Sequence, residues 1–92
     1  VFAFRMNDNA MEPDIYPGDV LFIDPEEEIS DNNGETRLVR TDANILIRSV
    51  YNIDVPKGPY YRLASEVNKD AIVHFRDAIV YKIVASFQIG EF

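Results

Sequence analysis

Hydrophobic and polar residues alternate with a period of two along most of the chain, the spacing of β-strands. In residues 1–6, Phe2, Phe4 and Met6 fall on one face and Ala3 and Arg5 on the other, which predicts a half-buried strand. Val20-Leu21-Phe22-Ile23-Asp24 is short, apolar and rich in β-branched and aromatic residues, so a buried strand is expected there. Residues 36–40 and 45–51 flank the turn-forming tetrad Thr41-Asp42-Ala43-Asn44 and predict a hairpin. Proline and glycine mark residues 52–59 as a loop, and strands follow over 60–65 and 71–75, with Arg76-Asp77 as a turn. Residues 78–90 read as one long final strand. Ile79, Tyr81, Ile83, Ala85, Phe87 and Ile89 share one face, and Val80, Lys82, Val84, Ser86 and Gln88 share the other. Both faces are largely apolar, which fits either a central strand or a strand at a subunit interface.

The alternation breaks between the first two strands. Asn7-Asp8-Asn9 carries short polar side chains that bond to nearby backbone and favour turns and helix N-caps. Asp8 or Asn9 could cap one short helical turn over residues 10–12, which Pro13 would limit. Pro17-Gly18-Asp19 is a second turn, with Gly18 free to take a positive φ. The layout is strand, irregular elbow, tight turn, strand. It predicts Ala10 at a strand end with its side chain facing a groove.

Composition narrows the function classes. Ninety-two residues make one domain, able to bury roughly 60–65% of the surface its unfolded chain exposes. The short length and a start directly in a strand suggest a piece of a longer protein. There is no cysteine, and no apolar run approaches the ~20 residues of a membrane span. Nine bases against sixteen acids give a net charge of −7, so the chain alone is not expected to bind DNA. Residues 24–35 hold six acids and no base, a solvated loop by composition. Within it Asp31, Asn33 and Glu35 only partly match a calcium loop. His74 is the single histidine and reads as a strand residue half in the core, so no metal and no cofactor are expected.

The order Asn9-Ala10-Met11-Glu12-Pro13, then Gly18-Asp19 and an apolar strand ending in Asp24-Pro25, resembles the C-terminal domain of LexA-like and lambda-type phage repressors. The likeness reaches the hairpin at residues 36–51 and the final strand Ala78-Ile-Val-Tyr-Lys-Ile-Val-Ala-Ser86, and so covers nearly the whole chain. It implies a mostly-β fold of twisted antiparallel strands in a partly closed barrel, with at most one short helical turn. In that family a serine in the elbow is the nucleophile of self-cleavage, and a lysine on a later strand is its general base. Here the two positions hold Ala10 and Arg48. Alanine has no atom able to attack a carbonyl, and arginine stays protonated, so it cannot serve as the base. Ser49 and Ser86 do not occupy the elbow, and Lys57 and Lys82 read as surface lysines.

With both positions changed, the resemblance implies an oligomerisation domain of a phage transcriptional repressor, acting without self-cleavage in the bacterial cytoplasm. Homo-oligomers, dimers or higher, are expected to form through Val80, Lys82, Val84, Ser86, Phe87, Ile89 and Phe92. Operator DNA would be bound only through helix-turn-helix domains outside this chain, and an antirepressor protein could be the inducing partner. Two other readings stand beside it. One is a Ser–Lys self-cleaving peptidase trapped by alanine at the nucleophile position, against which Arg48 counts. The other is a binding module whose elbow groove takes a partner peptide.

Overall fold

The computed structural model describes residues 1–56 and 58–88 of the chain. Seven strands form one sheet: β1 (Phe2–Arg5), β2 (Val20–Asp24), β3 (Asn33–Thr41), β4 (Ile45–Val55), β5 (Gly58–Ala64), β6 (Ala71–His74) and β7 (Ala78–Phe87). Their order across the sheet is β1-β2-β7-β3-β4-β5-β6, with every neighbouring pair antiparallel. The mostly-β expectation holds, but the sheet is open and does not close into a barrel, with β1 and β6 as its edges. The last strand in the chain lies third in the sheet, inserted between β2 and β3.

Alternation sorts the core onto both faces. The first face carries Leu21, Ile23, Leu38 and Ile47, covered by Met6, Ala10, Met11 and Ile15 from the elbow, with Phe4, Tyr81 and Ile83 packed alongside. The second face carries Val39, Val50, Leu63 and Ala78, with half-buried Leu46, Tyr61, Val73 and Val80 around them. Adjacent residues of one strand thus serve different cores, as Leu38 and Val39 do on β3. Burial also pushes the Tyr61 phenol above its ordinary titration range.

Three local expectations change. Residues 52–59 are not a loop throughout, because β4 and β5 continue their pairing to Val55 opposite Gly58. The elbow holds no helix. Separate bonds from Glu12 N to Asn9 O, and from Asp14 N and Ile15 N to Met11 O, make isolated turns there. Among the described residues the one helical turn is a 3-10 turn at Phe75–Asp77, whose N-terminus is capped by the His74 side chain accepting from Arg76 N.

The third change concerns β7. Ile83 lies opposite Ile23, but Ala85 lies opposite Phe22, so Val84 is an extra residue in a bulge. Directly opposed residues share a face, and residues 85–87 therefore lie on the sides opposite to those the unbroken alternation gives. Ala85 and Phe87 join Val20 and Phe22 on the second face, where the rings of Phe22 and Phe87 meet edge to face at 5.5 Å. Ser86 moves to the first face, opposite Leu21. The unbroken alternation read from residues 79–89 fails at this single insertion.

Candidate functional site

The elbow owes its shape to a few backbone-directed bonds. Tyr16-Pro17-Gly18-Asp19 closes as a β-turn, with Asp19 N donating to Tyr16 O at 3.1 Å and Gly18 at φ +93°. That φ suits the third position of a type II turn, and Pro17 supplies the fixed φ before it. Buried Asp19 braces the turn, its Oδ2 accepting from Tyr16 N at 2.9 Å. Met6 N donates to Asp19 O and Gly18 N donates to Met6 O, so the two ends of the elbow are fastened to each other. Pro13 is exposed beside half-buried Glu12, while Met11 is buried in the first core. Exposed Asn9 contributes its carbonyl to the Glu12 turn.

Ala10 does not face a groove. It is wholly buried, with its methyl group in the core beneath the elbow. Its carbonyl accepts from Glu66 N at 3.1 Å, so the segment after β5 crosses directly beside it. Its own N–H donates to Asp8 Oδ1 at 3.0 Å. The other oxygen of the same carboxylate lies 3.8 Å from Arg48 Nη1. One aspartate thereby links position 10 with position 48, two residues far apart in sequence. Arg48 also donates to Ile47 O at 2.8 Å, beside the part of β4 that β5 does not reach. Its side chain is 11% exposed against 41% for Asp8, so the pair is half in water. A methyl group and a permanent cation can neither attack a carbonyl nor take up a proton.

The residues expected at an interface fall into three groups. Val80 packs into the second core, and half-buried Lys82 pairs with Glu27 at 3.5 Å. Val84, Ser86 and Phe87 are exposed, with Phe87 at 59%. Ile89 and Phe92 lie outside the described residues, as does Lys57.

The acidic segment 24–35 is less free than its composition suggests. Buried Arg37 donates from Nε to Asn32 Oδ1 at 3.0 Å and lies 3.5 Å from Glu35 Oε1. Asn32 Nδ2 donates to Asn52 Oδ1, and Asn52 Nδ2 donates to Asp31 Oδ1 at 2.8 Å. Asp31 and Glu35, which hinted at a calcium loop, are thus bound to a guanidinium and an amide. Nothing in the period-two pattern marks Arg37 as buried, because its partners lie in the preceding loop and at the start of its own strand. The Glu66–Ala10 link was equally hidden, since it runs between backbone atoms.

Among the described residues no helix is long and apolar enough to cross a membrane. No curated protein and no solved structure matches the chain. A family profile described as Peptidase S24-like matches residues 1–83. The match takes in the elbow, both positions bridged by Asp8, and six of the seven strands entire, and on it the chain belongs to the Peptidase S24-like family.

Proposed function

We propose that this domain works by self-association, as the oligomerisation part of a phage-type transcriptional repressor, without cleaving itself. The observation that carries the reading is the bare apolar strip at one end of the second face. There Phe87 and Val84 are 59% and 47% exposed, next to Ala3, Val20, Phe22 and Ala85. Exposed apolar surface of this kind is a mark of a protein–protein contact. A second copy meeting the strip would bring two linked DNA-binding domains onto adjacent half-sites. Such linkage raises DNA affinity by roughly 10²–10⁴ without any new DNA contact. Induction would then run through a protein such as an antirepressor.

Sedimentation equilibrium over the micromolar range tests this directly. Reversible dimers or larger closed species that dissociate in Phe87→Lys are the expected outcome. A strict monomer at every concentration would remove the reading.

A trapped Ser–Lys peptidase is the second reading, favoured by the way Asp8 brings positions 10 and 48 together. Its test is self-cleavage of the longer protein after Ala10→Ser with Arg48→Lys. Asp8 bears on how that test is designed. A carboxylate beside a lysine favours the charged ammonium, which cannot act as a base. Asp8→Asn therefore belongs in the same series.

A further inference from the structure

We infer that Asn33 is a site of self-modification, where the folded chain converts an asparagine to aspartate and isoaspartate without an enzyme. Asparagine is among the chemically labile residues, and the reaction needs the next residue's backbone nitrogen to reach the side-chain carbonyl. A following glycine offers the least obstruction, because it has no Cβ and the widest choice of backbone conformation. The chain has seven asparagines, and only Asn33 precedes a glycine.

The fold leaves this position open while tying up its neighbour. Asn33 is exposed, and among the described residues no hydrogen bond holds its side-chain amide. Its backbone N–H is directed to Glu35 Oε1 at 2.8 Å. The β3–β4 ladder passes from Asn33 opposite Tyr51 to Glu35 opposite Val50, so Gly34 is an extra residue without a partner in the register. Gly34 sits at φ +100°, in a region that other residues rarely adopt. Asn32, one residue earlier, is 6% exposed and bonded through both side-chain atoms to Arg37 and Asn52.

In the reaction the Gly34 nitrogen attacks Cγ of Asn33. A bond from nitrogen to Cγ forms, the Cγ–Nδ2 bond breaks, and ammonia leaves with the proton from the Gly34 amide. Water then opens the five-membered ring at either carbonyl, giving aspartate or isoaspartate. Each product adds one negative charge, taking the net charge from −7 to −7 − 1 = −8. The new carboxylate stands between Asp31 and Glu35, beside the Arg37–Asn32–Asn52 network that fastens the acidic segment to the sheet. Isoaspartate also lengthens the backbone by one methylene at the bulge.

The test is to incubate the folded chain at mildly alkaline pH and 37 °C, with a urea-unfolded sample in parallel. Peptide mapping by mass spectrometry and an isoaspartate methyl-acceptor assay give the readout. Isoaspartate at position 33 ahead of every other asparagine, and its disappearance in Asn33→Gln, is the expected result. The longer glutamine disfavours the five-membered ring, and an exposed position should tolerate it. The inference is overturned by a folded chain that stays intact while the unfolded one reacts, since the fold would then protect Asn33. Reaction at another asparagine first, or no reaction in either sample, overturns it equally.

Discussion

The two faces of the sheet are finished in different ways. On the first, the elbow lays Met6, Ala10, Met11 and Ile15 over the strands and is pinned at Asp8 and Glu66. On the second, no such lid exists among the described residues. The strands β3 to β7 cover one another at one end, and Val20, Phe22, Ala85 and Phe87 are left as a strip at the other. A covered patch supplies stability by itself, whereas a bare one gains it only by meeting something else. The lesson is that stability and the proposed association can be tested separately by mutation, because the lidded core and the bare strip are different sets of residues.

The largest effect should come from the lidded face. Leu38→Ala removes a side chain that is 2% exposed beneath the elbow and should cost about 2–5 kcal/mol in urea unfolding. The same change at Phe87 removes only an exposed edge-to-face ring pair, worth about 0.5–1.5 kcal/mol. It should instead weaken association in sedimentation equilibrium. Equal stability losses at the two positions would erase the distinction between the faces.

A double-mutant cycle on Asp8→Asn and Arg48→Met measures the elbow's ionic pin. With Asp8 41% exposed and 3.8 Å from the guanidinium, water screens the pair, and a coupling of about 0.2–1 kcal/mol is expected. Added salt should shrink it. A coupling well above that range would make the pin, rather than the apolar lid, the main fastening of the first face.

The smallest effect belongs to Tyr61 on the second face. Burial raises its phenol titration in the folded state, so the unfolded chain loses this proton first as the solution becomes alkaline. Stability should therefore decline as pH rises through about 10, the unfolded value. The contribution is fully present below that pH, and Tyr61→Phe should remove it. A wild-type and variant pair with identical alkaline unfolding profiles would show that the ring tip is already solvated.

Much of this fold could be read from residue order. The seven strands, the hairpin at Thr41-Asp42-Ala43-Asn44 and the turn at Pro17-Gly18 all rest on local chemistry, and local chemistry is written in consecutive residues. That Arg48 needs an acid follows from a cation on a mostly apolar strand, but that Asp8 rather than Glu12 supplies it is seen only in the fold. What stayed hidden depends on residues meeting across the sheet. The burial of Ala10 requires knowing that Leu21, Leu38 and Ile47 lie below it. The extra residue at Val84 exists only relative to β2. The buried Arg37 depends on Asn32 in the preceding loop, which is itself held by Asn52 of the neighbouring strand. The open sheet likewise follows from strand order rather than from any strand's own sequence.

The bulge at Val84 also has an evolutionary consequence. Parity along a regular strand is a binary property, and one inserted or deleted codon inverts it for everything downstream unless a bulge takes up the difference. Here the bulge takes up that difference: without Val84, Ala85 would follow Ile83 directly and keep its place opposite Phe22, so Ser86 and Phe87 would stay on their present faces. The strand can therefore gain or lose this one codon while the outward strip, the lidded core and the order of strands are kept.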